Sequence, residues 1–381
     1  MPATLNDLRR AYVAGIGFHR YQFASETPYV QLGLTAVRAA LEDAGLPWPA
    51  VESAYVAKAL LPMAPGRAML RHLGASGIPI VHVENASASG SAAFRHAVME
   101  VAAGLADIAL VVGVDKPMPV ARAESLAKIG SLAGDAIAPF THFALLADAY
   151  VARSGAALED IALVALKNHR NGSKNPFAQH QKERTLDEIL NGKRISGAFT
   201  SLQCTPVGEG AAAVIVASEE GLRRHGLTLD RAVRVRASAA RSERAYDDPS
   251  RYDALLTAET TAAAFAEAGL KPGDVDVLEL HDAFTVEEVE YLEAMGVAPE
   301  GQAVVMLKEG QFDIGGRCAV SPSGGLIAMG HPIGPTGVGQ IGEITRQLRG
   351  EAGARQQPNA RVGLAHMVGV GSVCYVHLLS R

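Results

Sequence analysis

The chain has 381 residues, 48% hydrophobic and 20% charged, the balance of a globular protein, and its length suits two packed domains or one duplicated domain. Its 35 Lys and Arg against 40 Asp and Glu leave a formal net charge of −5, so it has no broad basic field and nucleic acid is excluded as an expected partner.

Three cysteines, Cys204, Cys318 and Cys374, are widely spaced, odd in number and without CxxC pairing. That pattern argues against a disulfide framework or a zinc site, and for a reducing compartment. The first residues carry charges on both sides of a short apolar run, and no apolar stretch approaches the length of a membrane span. A cytoplasmic protein without membrane contact is the expectation.

In chain order, AYVAGIGF at 11–18 is short, apolar and glycine-ended, the pattern of a buried strand. After Pro28, YVQLGLTAVRAALEDAG has apolar residues three and four apart and ends on Gly45, which predicts a helix. A strand near 53–57 and a second helical stretch lead to VHVEN at 81–85. SGSAAFRHAVMEVAAG then reads as a small-residue helix ended by Gly104, and DIALVVGVDK as another buried strand. Strands alternating with helices predict an α/β domain with a mainly parallel sheet.

Between about 117 and 203 the rhythm changes. Two helical stretches, HFALLADAYVARSG and EDIALVALKNHR, precede a polar run, NGSKNPFAQHQKE, and then TLDEILNGKR. This reads as a loop domain inserted over the core, of the kind that shapes substrate sites. GEGAAAVIVAS at 208–218 returns to strand character, and EEGLRRHGLTLDRA reads as a junction dividing the chain into 1–225 and 226–381. The second part repeats the element order: a helix in TAETTAAAFAEAGL, a strand running into a turn in VDVLELHDAF, a helix in TVEEVEYLEAMG, and two apolar strands about a glycine bend near the end. That recurrence predicts a pseudo-duplicated α/β fold. GIGF at 15–18 is too short for a dinucleotide fingerprint.

Four stretches carry candidate chemistry, and each falls where a strand ends or a helix begins, the place where α/β sheets bind ligands: NASASG at 85–90, HDAF at 281–284, GHP at 330–332 and HMVGVG at 366–371. Ser87 precedes a predicted helix, whose N-terminal dipole favours an anion or oxyanion beside it; the same serine would serve as an N-cap. His331 lies between glycines and prolines that stiffen its turn and display its ring. His281 at a strand end reads as a catalyst or as a hydrogen-bonded turn residue, Asp282 as a cap on the following helix, and His366 beside an apolar strand more readily as structural.

These stretches, with VALKNHRNGSKNPFAQH, CTPVGEGAAAVIVAS and SPSGGLIAMGHPIGPTG, resemble the thiolase superfamily, in particular its lipid-transfer-protein (sterol carrier protein x) type, over nearly the whole chain. The resemblance implies two similar βαβαβαββ halves in an α-β-α-β-α layering with an inserted loop domain, in a dimer that acts on coenzyme A thioesters without a permanent cofactor. Carried over, His331 is the GHP histidine that activates the nucleophile and His281 the HDxF histidine that holds the enolate oxygen. Gly369 and the Ser87 N–H would bind the acyl oxyanion, with Gly330 lining the same side. Lys167, His169, Arg170 and Lys174 could meet the phosphates of coenzyme A, a solvated loop face being the other reading.

The family's two thiols are missing. Ser87 stands at the nucleophile position, Met367 at the C-terminal cysteine position, and Ala283 where the sterol-carrier type places a cysteine. A serine hydroxyl stays protonated without a base in line, and His366 is the nearest candidate for the lost proton carrier. Cys204 and Cys318 read as buried structural thiols. Two histidines aimed at one thioester oxygen can still stabilise an enolate, each oxyanion donor being worth ~3–4 kcal/mol. The sequence-based expectation is C–C bond chemistry beside a CoA thioester: thiolytic acyl transfer first, then retro-aldol cleavage of a 3-hydroxyacyl-CoA with a small OB-fold, zinc-ribbon partner, and third a catalytically silent acyl-CoA-binding subunit.

Overall fold

The computed structural model describes residues 4–117, 139–248, 251–369 and 373–381. The opening of the inserted segment, and Val370 and Gly371 of the last candidate stretch, lie outside the described residues. The strands are β1 (Ala11–Gln22), β2 (Ser53–Ala57), β3 (Ile80–Val83), β4 (Ile108–Asp115), β5 (Arg194–Ser196), β6 (Phe199–Thr200), β7 (Glu209–Ser218), β8 (Val233–Ser242), β9 (Val277–Glu279), β10 (Ala319–Val320), β11 (Val362–Gly369) and β12 (Val373–Ser380). The helices are α1 (Tyr29–Ala44), α2 (Pro65–Leu70), α3 (Ser89–Ala102), α4 (Pro139–Ser154), α5 (Leu158–Ser173), α6 (Leu186–Leu190), α7 (Glu219–Arg224), α8 (Tyr252–Ala268), α9 (Thr285–Ala294), α10 (Ala303–Lys308), α11 (Gly325–Ala328) and α12 (Thr336–Arg349).

Duplication is visible in the sheet order, β10-β9-β11-β12-β8-β1-β7-β4-β2-β3. From the outer edge inward, β3-β2-β4-β7-β1 maps onto β10-β9-β11-β12-β8. The pairing sense matches at every step: parallel for the first two pairs and antiparallel for the next two. The two five-stranded sets touch through β1 and β8 over only two register pairs, Tyr12↔Arg234 and Val13↔Val233.

Three cores make the layers. On β4, Ile108, Leu110, Val112 and Val114 face outward onto α1, while Ala109 and Val111 face inward, the period-2 alternation of a strand buried on both sides. The inner faces of both sets close on one helical layer, α3 and α12, through Ala97, Val98, Val338, Ile341 and Ile344. Ile341 and Ile344 are fully buried, each worth ~1.5–3 kcal/mol on the transfer scale. The outer face of the second set is covered by α8 and α9. The result is an α-β-α-β-α stack.

Glycines decide two close approaches. A Cβ on Gly15 or Gly17 of β1 would overlap the α1 backbone at the Ala40 or Ala36 carbonyl, so the GIGF stretch is a helix-packing surface. In the middle layer a Cβ on Gly90 of α3 would lie 2.8 Å from Gly334 O and Val338 N, and one on Gly337 of α12 would lie 2.6 Å from Ser91 N. The starts of the two central helices therefore meet glycine to glycine.

The inserted segment leaves the first sheet set after β4 but packs on the second. Leu146, Tyr150, Ile161, Val164, Ile189 and Phe199 join the core that contains α9 and β11. Its α5 is more deeply buried than its polar ending suggests. Lys167 is 2% exposed, its ammonium 2.7 Å from Asn168 Oδ1 and Val320 O and 3.1 Å from Glu288 Oε1. His169 is also buried, with Nε2 3.0 Å from Leu202 O. Those two side chains are internal struts, which removes them from both a phosphate-binding and a solvated face; Arg170 pairs with Asp313 and Lys174 is exposed.

Candidate functional site

The chain between β3 and α3 makes a strained turn. Ala86 has φ +48°, a left-handed conformation that costs a non-glycine residue ~1–2 kcal/mol. Local bonds hold it there: Ala86 N donates to Glu84 Oε1 at 2.7 Å, Ser89 Oγ donates to Ala86 O at 2.6 Å, and Asn85 N donates to Ser89 Oγ at 2.8 Å. Ser89, rather than Ser87, bonds the turn. The Ser87 hydroxyl is turned away from the helix backbone and lies 2.9 Å from His331 Nε2.

His331 follows α11 in a turn whose shape is set by Gly330 at φ +108° and Ile333 at φ +65°. A Cβ on Gly330 would stand 2.7 Å from Gln179 Oε1, so the inserted segment packs directly against this turn. Beyond it, Gly334 N donates at 2.9 Å to Asp115 Oδ2 at the end of β4, a carboxylate that also accepts from Ala59, Leu60 and Leu61. The other imidazole nitrogen, Nδ1, is 2.8 Å from Thr336 Oγ1 at the start of α12. Enclosure of the ring, with His281 beside it, pushes the His331 pKa down to about 3, so the imidazole is neutral at physiological pH.

His281 reaches the same place from the end of β9. Its ring centroid is 5.6 Å from that of His331, at 87°. Its Nδ1 lies 2.9 Å from Glu287 Oε1, and since a carboxylate can only accept, Nδ1 carries the hydrogen. Glu287 occupies the third position of α9, where its other oxygen accepts from Phe284 N at 2.9 Å as in a capping box. Asp282 does not cap α9. Its oxygens accept from Leu326 N at 2.7 Å and Asn168 Nδ2 at 2.6 Å, tying the HDAF turn to α11 and α5. Burial, followed by the charge of Glu288, raises the Asp282 pKa well above the usual carboxylate range.

His366 and Met367 are neighbours on β11 and therefore point to opposite faces. His366 faces α8 and α9: Nε2 is 3.0 Å from Thr257 Oγ1, the ring packs on Tyr291, and Nδ1 is 3.5 Å from His281 N. Its contacts are with the support of His281, on the side away from Ser87. Met367 shares a face with Ala365, which packs in the middle layer, and is fully buried. At the end of β11, a Cβ on Gly369 would lie 2.6 Å from Asn85 O and 3.2 Å from Ala88 Cβ, so this glycine lets the strand end close on the Ser87 turn. All three cysteines are buried, and burial pushes each thiol up to about 12. Cys204 spends its proton on Thr200 O at 3.2 Å.

A cavity of about 20 Å³ behind the His331 turn, lined by Tyr21, Glu279, Thr336 and Gln340, has room for about one water. It is too small for an acyl chain, and His331 itself is partly exposed. The residue that sequence reasoning missed is Glu287. Its available signal was a carboxylate at the third position of the helix that follows HDAF.

Burial of the histidines makes stability pH-dependent. Burial depresses His331 and His377 to about 3 and His169 to about 4. Unfolded histidine titrates near 6.5, so the unfolded chain binds protons that these rings refuse; their contribution is complete above about pH 6.5 and is lost as pH falls, by up to ~2 kcal/mol per ring at pH 5. Glu279, raised to about 8 by burial, has the opposite sign, its contribution fading as pH rises from the unfolded value towards 8. Asp115 and Glu290, raised by burial to about 6 and about 7, act in the same sense as Glu279, so the ring contribution is read by difference. Between pH 7 and pH 5 the stability of the wild-type chain in urea is expected to change less favourably than that of His377→Gln, by up to ~2 kcal/mol, and an equal change in both would contradict a neutral buried ring.

This arrangement, a serine at a helix start facing a GHP-turn histidine in a twice-wound layered fold, belongs to one class, the thiolase fold. The chain matches the thiolase N-terminal domain over residues 16–190 and the thiolase C-terminal domain-like family over residues 238–381, and it is a member of the thiolase superfamily. Within it, the chain is 37% identical to sterol carrier protein 2 of Gallus gallus, over 97% of this chain and 71% of that one. It is 34% identical to the benzoylsuccinyl-CoA thiolase subunit BbsB of Thauera aromatica, over 95% of both. Its fold matches that of the Ltp2-ChsH2(DUF35) aldolase with a TM-score of 0.78 at 23% identity, over 97% of each chain.

Proposed function

We propose that the protein makes or breaks the C–C bond beside the carbonyl of an acyl-CoA thioester, acting as a retro-aldolase on a 3-hydroxyacyl-CoA without a covalent acyl-enzyme. The observation that carries this reading is the unequal support of the two histidines. His281 has a carboxylate on Nδ1 at 2.9 Å and can hold a proton on its far nitrogen, whereas His331 has only a threonine hydroxyl at 2.8 Å. A serine nucleophile needs its base to become imidazolium, and in Ser-His-acid sites a carboxylate stabilises that cation. At His331 the cation would form in an enclosed site with another histidine beside it.

In the proposed step His331 Nε2–H and the N-terminus of α3 hold the thioester oxygen. His281 takes the proton of the C3 hydroxyl, C3=O forms, the C2–C3 bond breaks, and its electron pair becomes the enolate on the thioester oxygen. A proton from His281 then goes to C2. Atoms and charge balance without an external reagent. Met367, at the position where the family places its second cysteine, has no proton to offer.

Thiolytic acyl transfer through Ser87 is the second reading. It is favoured by the 2.9 Å contact between Ser87 Oγ and His331 Nε2 and by the strained turn that presents the hydroxyl. A silent binding subunit fits the His281–Glu287 pair poorly. The proposal includes a cytoplasmic homodimer, for which the outermost strand β3, with Val81 45% exposed, offers a sheet edge, and a small OB-fold, zinc-ribbon partner.

The test supplies a branched 3-hydroxyacyl-CoA alone, and separately a 3-oxoacyl-CoA with free CoA, each with and without an OB-fold protein. CoA-independent release of a carbonyl product from the hydroxy substrate is expected. CoA-dependent cleavage of the oxo substrate, with an acyl adduct on Ser87 by mass spectrometry, would select the second reading. Binding without turnover of either would select the third.

A further inference from the structure

The end of β4 carries a carboxylate that the chemistry above does not use. Asp115 is fully buried, and among the described residues no lysine or arginine pairs with it; Lys116, next in sequence, turns to Glu209 at 2.8 Å. Four backbone N–H groups donate to it instead. Oδ1 accepts from Leu60 N at 2.8 Å and Leu61 N at 3.1 Å, and Oδ2 accepts from Ala59 N at 2.7 Å and Gly334 N at 2.9 Å. Burial raises its pKa to about 6, the N–H bonds pulling the other way, so the group is charged at neutral pH. Three of the donors are successive residues of the loop after β2, and the fourth belongs to the turn that carries His331.

That turn is under strain. Ile333, between His331 and Gly334, has φ +65°, a conformation that a β-branched residue keeps only where its surroundings over-determine it. Here they do. A Cβ on Gly334 would stand 2.7 Å from Asp115 Oδ2 and 2.8 Å from Lys58 Cα, and one on Gly113 of β4 would overlap Pro335, so Gly334 and Pro335 lie directly on the ends of β2 and β4. Tyr21 of β1 donates to Pro335 O at 2.9 Å. Ile333 O in turn accepts from Thr336 N at 3.1 Å, and Thr336 Oγ1 is the partner of His331 Nδ1. A shift of Gly334 therefore moves both the backbone that carries the ring and the hydroxyl that orients it.

We infer that Asp115 is a positioning residue for His331: by holding Gly334 N and the 59–61 loop on one carboxylate, it keeps Ile333 in its strained conformation and sets the angle at which the imidazole faces Ser87 and His281. The residue type suits the task. A carboxylate only accepts, with lone pairs on both oxygens for four donors, whereas an amide of the same shape offers one oxygen and turns its own hydrogens onto two of the N–H groups. The effect on turnover rests on the reading of His331 as a donor to the thioester oxygen; the effect on the ring's placement does not.

The test reads turnover and the ring separately. Asp115→Asn is expected to lower kcat for cleavage of the hydroxy substrate by ~10²-fold while KM changes less than about threefold, the cost of a small misplacement of a reacting group. Carbethoxylation of His331 by diethyl pyrocarbonate, mapped by mass spectrometry against the exposed His225, is expected to rise at least about threefold as the turn opens locally. Adding Ile333→Gly distinguishes positioning from general support of the fold: glycine holds a positive φ without an anchor, so the double variant is expected to regain at least about tenfold in kcat and to return His331 towards wild-type carbethoxylation. Gly334→Ala opens the same contact from the turn side, and is expected to give the same two changes if Asp115→Asn does not fold. Wild-type kcat and carbethoxylation in a folded Asp115→Asn, or no recovery in the double variant, would overturn the assignment. Turnover of neither substrate by the wild-type protein would instead sink the proposed function, and the carbethoxylation comparison would then decide on Asp115 alone.

Discussion

Replacing His331 by alanine is expected to lower kcat/KM for C–C cleavage by ~10²–10³-fold, the loss typical of removing one donor from an oxyanion site. The ring is the only described side chain bonded to the Ser87 hydroxyl, and it meets His281 at 5.6 Å, so it matters under either chemistry. The companion variant Ser87→Ala separates the two. Under retro-aldol cleavage Ser87 is a neighbour of the oxyanion site, and its loss changes kcat/KM by less than about tenfold; as an acyl carrier its loss would cost ~10⁴-fold or more. Wild-type activity in His331→Ala, with a melting curve showing the folded protein, would refute both assignments.

Lys167→Met is expected to destabilise the fold by ~3–5 kcal/mol, the cost of leaving a buried charge without its partner. Its ammonium is the cation beside Glu288 and contributes to holding Asp282, both fully buried, in the scaffold under the HDAF turn. Urea denaturation measures the loss. The double variant Lys167→Met, Glu288→Leu, which removes the pair together, should recover part of it, because an apolar replacement of a buried pair is often near neutral. A single variant that keeps its stability and loses affinity for CoA would return Lys167 to the phosphate-binding role.

Local pattern was enough for the α/β character, the duplication and the turns, while the layering came from the family resemblance. Apolar periodicity and Gly45 mark α1, and the recurring strand-helix order anticipates the duplication seen in the sheet order. The alternation predicted a mainly parallel sheet, whereas β1, β7, β8 and β12 pair antiparallel, so that among the described strands only the outer pairs are parallel. The GHP, HDAF and NASASG turns meet, because strand ends in such sheets converge. What pattern could not supply is partnership across long separations. KNHRN at the end of α5 reads as solvated until Glu288 and Asp282, more than a hundred residues away, are seen above it. Glu287 caps α9 with one oxygen, and only the fold shows its second oxygen on His281 Nδ1. GIGF, too short for a ligand fingerprint, is a strand segment on which a helix sits.

The glycine-to-glycine meeting of α3 and α12 has a consequence for how the chain acquires activity. Ser87 is carried by the first sheet set, His331 and His281 by the second, and the Ser87–His331 contact of 2.9 Å exists only after the two have docked. On the proposed chemistry, a refolding intermediate in which the two sheet sets have not docked is expected to be inert towards thioesters. Assembly of the central layer is thereby a licensing step, and an activity assay on refolding protein reads out lobe docking rather than secondary structure. Widening Gly90 or Gly337 by one methyl should produce a chain with intact helices and strands whose two lobes are held apart, and with them the reagents.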